Sequence, residues 1–166
     1  MKFRWWFGIV FNLILAFLAI SGAVFYVVHV KDSSFLSGRT LEIRDTSTGK
    51  LYGRWPFEEA GEFSMEFIHS VHKNPVRESF RPEGKMIRLQ ALRFFSFGAG
   101  MPSHLEEGQV LGRDGDAMVI TGFSAAFREL NYVIGPASDL LLFINGQTVS
   151  LGDLCGSNAG ITIRLK

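Results

Sequence analysis

The distribution of apolar residues divides the chain into two parts. Residues 7–28 are apolar at almost every position and show no polar face, whereas apolar and polar residues alternate over short stretches beyond residue 40. At about 1.5 Å rise per residue, a helix over residues 7–28 extends for about 33 Å, enough to cross a hydrocarbon core of roughly 30 Å. The first part therefore predicts an N-terminal transmembrane anchor, residues 1–30.

A cleaved secretory signal peptide is the alternative for this segment, because Lys2 and Arg4 precede the apolar run and small residues occupy positions 21–23. Cleavage there would leave the apolar residues 24–28 exposed at the new N-terminus, so the uncleaved anchor is favoured. Lys2, Arg4 and the terminal amine slightly outnumber the basic residues just after the run, which predicts a cytoplasmic N-terminus. In a bacterium, the chain would be a single-pass inner-membrane protein with a periplasmic or otherwise extracytoplasmic domain.

The second part follows a polar spacer over residues 31–40 and has the strand and turn spacing of an antiparallel β protein. Residues 41–44 and 51–55 flank a turn and predict a hairpin. Asn145-Gly146 supplies the two positive φ angles of a type I′ turn and predicts a second hairpin. Further strands are expected over residues 63–71, 76–80, 86–97, 117–123, 127–133, 140–144, 147–151 and 160–165. Only residues 124–130 have a pattern compatible with a helix.

One strand has an especially clear apolar face. Within residues 63–71, alternate positions place Phe63, Met65 and Phe67 on the same side, followed by His69 and Val71. We expect the three large side chains to be buried against a second layer of strands. The sequence therefore predicts one all-β domain, residues 41–166, folded as an antiparallel β-sandwich or partly open barrel.

Charge and cysteine content exclude some classes of protein. Two of the 17 Lys and Arg residues precede the apolar run, and all 16 Asp and Glu residues follow it, so the exported part has a net charge of about −1. Nucleic-acid binding needs a basic excess and is not expected. Cys155 is the only cysteine and cannot form an internal disulfide. We interpret it as a small buried residue.

The polar segment between two predicted strands, residues 69–78, contains most of the potentially reactive side chains. His69, His72, Glu78 and His104 could supply metal ligands, but their spacing is not that of a zinc site, so no metal or other cofactor is predicted. Ser70 with a histidine and Glu78 has the groups of a catalytic triad. Because neighbouring side chains of a strand point to opposite faces, Ser70 and His69 should diverge. A structural strand connection is the remaining interpretation.

A second unusual segment, residues 96–102, ends the long predicted strand in a glycine-rich loop. Gly98 and Gly100 would let the backbone approach a ligand or another chain closely, and would equally permit a β-bulge. The loop lacks the lysine and the helix start of a phosphate-binding loop.

These two segments together resemble the signature of a bacterial family of small exported domains of unknown function. The resemblance covers about residues 41–166 and is based on His69, Ser70, Val71, Pro75, Val76, Glu78, Ser96, Gly98, Gly100 and Pro102. His72 and Lys73 depart from the family pattern, which usually has acidic or polar residues there. Members are often encoded beside TRAP transporters of the TAXI type, which take up organic acids with a periplasmic binding protein. The resemblance implies a partner system and no specific activity.

Two functions follow as expectations. The first is a non-enzymatic accessory or binding module that works beside such a transporter and contacts its membrane subunit or its periplasmic binding protein. The alternative is a membrane-tethered enzyme that uses His69, Ser70 and Glu78. In either case, we expect the polar segment 69–78 and the glycine-rich loop to meet and to form one recognition surface. The residues predicted to bind a ligand or partner are His69, Ser70, Glu78, Ser96, Gly98, Gly100, Met101 and Pro102.

Overall fold

Short strands dominate the computed structural model, which describes residues 39–57, 61–98, 100–136 and 139–166. These residues belong to one compact unit, Arg39–Lys166. The described part contains a single α-helix of five residues. The elements are β1 (Arg39–Asp45), β2 (Leu51–Phe57), β3 (Phe63–Ile68), β4 (Pro75–Glu83), β5 (Met86–Phe94), β6 (Val110–Asp114), β7 (Ala117–Thr121), β8 (Ala126–Phe127), β9 (Glu129–Val133), β10 (Leu140–Ile144), β11 (Gln147–Ser150), α1 (Leu151–Cys155) and β12 (Gly160–Leu165).

The strands form two antiparallel sheets. The smaller sheet has the order β2-β1-β12-β9. The larger sheet has the order β11-β10-β3-β4-β5-β7-β6, and the short strand β8 also pairs with β5. Every strand pairing among the described residues is antiparallel. The prediction of an all-β protein is confirmed.

Both sheets contribute side chains to one apolar core. Phe63 on β3 is 1% exposed, stacks on Phe80 with ring centroids 5.3 Å apart, and meets the edge of Phe57 at 5.7 Å. A second, smaller apolar cluster lies on β4, β5 and β7 of the larger sheet and contains Val76, Leu92, Phe94 and Ile120. Core residues from the smaller sheet are Leu41, Ile43, Leu130, Ile161 and Ile163, and those from the larger sheet include Phe63, Met65, Phe80, Ile87, Leu140, Leu142 and Ile144.

Turn chemistry identified two hairpins correctly. β10 and β11 pair across Asn145-Gly146, whose φ angles are +51° and +73°. β1 and β2 pair as the first predicted hairpin. β1 begins at Arg39, so the strand includes the last two residues of the predicted spacer. In each hairpin, a polar turn separates apolar stretches whose pairing buries them.

The predicted strand over residues 63–71 is wrong in its second half. Phe63 and Met65 are buried as expected, but β3 ends at Ile68, Phe67 is only partly buried and Val71 is 63% exposed. The chain turns after β3, because the amide of His69 donates to the carbonyl of Asn74 and that of Lys73 donates to the carbonyl of His69, both at 2.9 Å. The alternation of residue types therefore continues past the point where the strand stops.

Several further boundaries differ from the sequence-based expectation. The segment 124–130 forms no helix and contributes to β8 and β9. Pro82 and Glu83, which lie between the expected strands 76–80 and 86–97, belong to β4 and pair with Ile87 and Met86, so only two residues separate β4 from β5. Leu151, expected in a strand, begins α1 because the Ser150 hydroxyl accepts a hydrogen bond from the amide of Asp153 at 3.0 Å and caps the helix.

The predicted anchor, residues 1–30, lies outside the described residues, as does most of the spacer. Among the helices of the described part, none has the length and apolar character required to cross a membrane.

Candidate functional site

The connection between β3 and β4 holds the His69 ring in a defined position. Nδ1 of His69 accepts hydrogen bonds from the amides of Val71 and His72, both at 3.3 Å. A ring nitrogen that accepts carries no proton, so the His69 ring has its proton on Nε2, where it is available as a donor. The positive φ of Lys73, +56°, lets the chain reverse within this short connection. The turn therefore engages Nδ1 of the imidazole and leaves Nε2 available to donate a hydrogen bond.

The glycine-rich loop after β5 approaches this histidine closely. Gly98 and Gly100 have φ angles of +101° and +91°, which favour glycine. A Cβ atom placed on Gly100 would lie 3.9 Å from Nε2 of His69, and one on Gly98 would lie 3.9 Å from Nε2 of His72. The two imidazoles lie against each other with centroids 4.9 Å apart. The loop and the strand connection therefore meet in space, as expected from the sequence.

Together these segments border a cleft of about 620 Å³, here called the main cleft. Its apolar surface comes largely from the smaller core cluster and from side chains packed against that cluster, including Val76, Leu92 and Phe123. Its polar groups come from the strand connection, from β4 and from the segment that follows the loop. The remaining lining residues are Phe67, His69, Glu78, Gly100, Met101, Pro102, Ser103, His104, Glu106, Gln109 and Ala125.

Glu78 lies on the central strand β4, opposite Met65 of β3 and Leu92 of β5. The hydroxyl of Tyr132, on β9 of the other sheet, donates to Oε2 of Glu78 at 2.6 Å. Burial raises the pKa of the Glu78 carboxyl, and this effect exceeds the opposing effect of the Tyr132 hydrogen bond. Burial, with the adjacent Glu78 charge, also raises the pKa of Tyr132. A partly desolvated carboxylate is thus held in a fixed orientation between the two sheets.

A second cavity, of about 440 Å³, lies on the Tyr132 side of Glu78. Phe67, His69 and Glu78 line both this cavity and the main cleft. Ser70 lines only the second cavity of the two, and its side chain is exposed.

The structure places five of the eight predicted site residues around the main cleft, namely His69, Glu78, Gly100, Met101 and Pro102. Ser96 lies beside His72 in a narrow space next to the cleft, and Gly98 faces the His72 ring. Ser70 is on the neighbouring cavity. The binding role of all eight residues stays a prediction.

Sequence reasoning missed several residues of the site. Glu106, Gln109 and Phe123 line the main cleft, and Tyr132 orients Glu78, although none of them was predicted as a site residue. The segment 103–109 has no periodic pattern, and Tyr132 lies 54 positions from Glu78 in the chain. Only the pairing of strands and the packing of the two sheets bring these residues to the cleft.

In the part of the chain that the structure describes, no group of three or more His, Cys, Asp or Glu side chains is positioned to hold a metal ion. Cys155 is partly buried, and burial raises the pKa of its thiol to about 11. This thiol is therefore protonated at neutral pH and is a poor nucleophile.

Comparison with known proteins relates part of this chain to a known family. Residues 63–151 match a family described as a domain of unknown function, DUF1850. No curated protein and no solved structure matches the chain significantly. The match covers more than half of the chain, from the start of β3 to the start of α1, and includes the strand connection, the glycine-rich loop and Glu78. The chain therefore belongs to the DUF1850 family of domains of unknown function.

Proposed function

We propose that this protein is a membrane-anchored extracytoplasmic binding module that serves a TRAP-type solute-uptake system of the TAXI class. The observation that carries the proposal is the main cleft, where the His69 to Glu78 segment and the Gly100 to Pro102 loop line one concave surface. These are the two segments that the sequence marks by polar side chains and unusual backbone residues.

The construction of the main cleft favours binding of a small molecule. Its volume of about 620 Å³ lies within the range of roughly 300–1,000 Å³ usual for ligand pockets. An apolar floor with a few fixed polar groups is the usual composition of such pockets. Glu78 lies on β4 and His69 lies just after β3, so the paired strands of the larger sheet hold both polar groups in fixed positions.

Membrane attachment and the uptake system are supported by the sequence. The apolar run over residues 7–28 has the length and flanking basic residues of an anchor with a cytoplasmic N-terminus. The family resemblance supports a TRAP-type partner, either the membrane subunit or the periplasmic binding protein. The proposed localisation is the bacterial inner membrane, with the β domain outside the cytoplasm.

The enzyme alternative has weaker support, although His69, Ser70 and Glu78 all line the second cavity. A triad needs a histidine nitrogen that accepts a proton from the nucleophile. Nδ1 of His69 is already used by two backbone amides. Within the described residues, the Ser70 hydroxyl makes no hydrogen bond to a histidine or a carboxylate. The arrangement therefore fits recognition better than nucleophilic catalysis.

Two substitutions of His69 separate a binding role from a structural one. In His69→Asn, the amide oxygen can replace Nδ1 as acceptor for the turn, while the Nε2 tip is removed. We expect this variant to keep its melting temperature but to reduce transporter-dependent uptake to the level of cells that lack the protein. His69→Ala removes the acceptor as well, so it should lower both quantities.

Full-length variants expressed at equal levels in the native host, with uptake and melting temperature measured together, provide the test. Glu62→Gln is the control, because Glu62 is exposed and lies outside the main cleft. Wild-type uptake in the His69→Asn strain would show that the cleft serves no function in transport. Co-purification of a transporter subunit with the full-length protein from membranes would identify the partner.

A further inference from the structure

The charge of the main cleft narrows the class of ligand it can bind. Among the lining residues in the described part of the chain, the ionisable side chains are Glu78, Glu106, His69 and His104, and there is no lysine or arginine. The arginines of β4 and β5 are paired with carboxylates outside the cleft: Arg77 with Glu66, Arg81 with Glu62, Arg88 with Glu83 and Arg93 with Asp114. Arg88 also donates to the carbonyls of Phe123 and Ser124, but its side chain does not line the cleft. Within the described lining, the two carboxylates therefore have no lysine or arginine beside them.

The hydrogen bonding of Glu78 shows which of its two oxygens is available to a ligand. Its Oε2 accepts the Tyr132 hydroxyl, whereas Oε1 has no hydrogen-bond partner among the described residues. Tyr132 orients the carboxylate but does not neutralise it. A carboxylate that is partly shielded from water is stabilised most by a cation that donates hydrogen bonds to its unpaired oxygen.

The rest of the cleft supplies apolar surface near this carboxylate. Phe67 borders Glu78 in both cavities, and Phe123, Leu92 and Met101 extend the apolar surface. Aromatic faces attract organic cations in addition to burying apolar groups. A ligand that satisfies both parts of the cleft carries a positive charge at one end and an apolar body at the other.

We propose that the main cleft binds a small organic cation whose ammonium group contacts Glu78 and whose apolar body lies against Phe67, Leu92 and Phe123. This inference rests on the proposed binding function of the cleft and adds the chemistry of the ligand, which is distinct from the organic acids that TAXI-type transporters take up. A carboxylate ligand would be repelled by Glu78 and Glu106 and would find no arginine or lysine in the described lining. A neutral polar ligand would leave the Glu78 charge uncompensated.

Three probes with the same aromatic body test the ligand class: 2-phenylethylamine, 2-phenylethanol and 3-phenylpropanoate. Each is titrated calorimetrically into the full-length protein in lipid nanodiscs, with empty nanodiscs as the reference. We expect the amine to bind at least tenfold more tightly than the alcohol and the carboxylate. Glu78→Gln should lower the affinity for the amine at least tenfold, whereas the matched variant Glu62→Gln should leave it unchanged. Ala125→Trp, which fills the cleft, should abolish binding in a protein whose melting temperature is preserved.

The possible failures are distinguishable. If the alcohol or the carboxylate binds at least as tightly as the amine and Ala125→Trp abolishes that binding, the ligand class is wrong but the cleft is a binding site. If Glu78→Gln leaves binding of the amine intact, or if Ala125→Trp does so in a folded protein, the inference is overturned. If none of the probes binds, the inference also fails, and the uptake measurement with His69→Asn then decides separately whether the cleft functions in transport.

Discussion

Removing the Tyr132 hydroxyl should destabilise the domain mainly through its effect on Glu78. This hydroxyl donates to the carboxylate across 2.6 Å and joins β9 of the smaller sheet to β4 of the larger one. A hydrogen bond to a charged group contributes about 1.5–3 kcal/mol, compared with about 0.5–1.5 kcal/mol for a neutral pair. We therefore expect Tyr132→Phe to lower the free energy of unfolding by about 2 kcal/mol at pH 7.

The pH dependence of this effect follows from the raised pKa of Glu78. A carboxyl group whose pKa is higher in the folded state contributes stability below its unfolded pKa, here 4.5, and that contribution is lost as the pH rises through the folded pKa. Glu78→Gln removes the desolvated charge, so this variant should be more stable than the wild type at pH 7. The gain should shrink as the pH falls and be nearly lost at pH 4, where Glu78 is mostly protonated in both the folded and the unfolded state.

A double-mutant cycle measures the charge-dependent part of the Tyr132 bond. Urea unfolding of the fragment 39–166 is followed at pH 7 and pH 4 for the wild type, Tyr132→Phe, Glu78→Gln and the double variant. Because a glutamine oxygen still accepts a hydrogen bond, we expect a coupling of about 1 kcal/mol at pH 7 and almost none at pH 4. A coupling that is absent at pH 7, or a Tyr132→Phe cost that grows as the pH falls, would refute the reasoning.

Other substitutions test the core, the backbone and the topology. Phe63→Ala should lower the free energy of unfolding, measured with urea, by about 3–5 kcal/mol, and Phe67→Ala, which removes a partly buried ring, should lower it by less than half as much. Equal losses would contradict the assigned burial of the two rings. Gly122→Ala should lower the melting temperature far more than Gly115→Ala, because the methyl group at residue 122 would overlap the carbonyl oxygen of Gly108, whereas the space around Gly115 is open. Similar losses in the two variants would argue against the close approach of Gly122 to Gly108. A periplasmic reporter fused after Lys166 should be active and should fractionate with membranes, and activity of a cytoplasmic reporter alone would disprove the predicted orientation.

The fold was predictable where local chemistry and strand pairing agree. Asn145-Gly146 determines its hairpin almost alone, because few other dipeptides accept two positive φ angles. Alternation identified β3 correctly at Phe63 and Met65 but did not show where the strand ends. The edge strand β6 has no buried side chains, so it carries no apolar pattern that a sequence reading can detect.

The site was predictable only as two separate segments. Polar residues around His69 and the glycines of the loop stand out by residue type, and their chemistry indicates strand ends and close backbone approach. Tyr132 reaches Glu78 through the packing of two sheets, and Gln109 reaches the cleft through an irregular segment. Neither position carries a local signal, because long-range contacts depend on strand order rather than on neighbouring residues.

The most direct test of a functional cleft is transporter-dependent uptake by cells that express full-length Glu78→Gln, with Glu62→Gln as the matched control. We expect Glu78→Gln to be at least as stable as the wild type at neutral pH and to reduce uptake to the level of cells without the protein, since a partly buried charge that lowers stability indicates a functional role. Wild-type uptake by the Glu78→Gln cells would contradict the proposal that this cleft serves solute uptake.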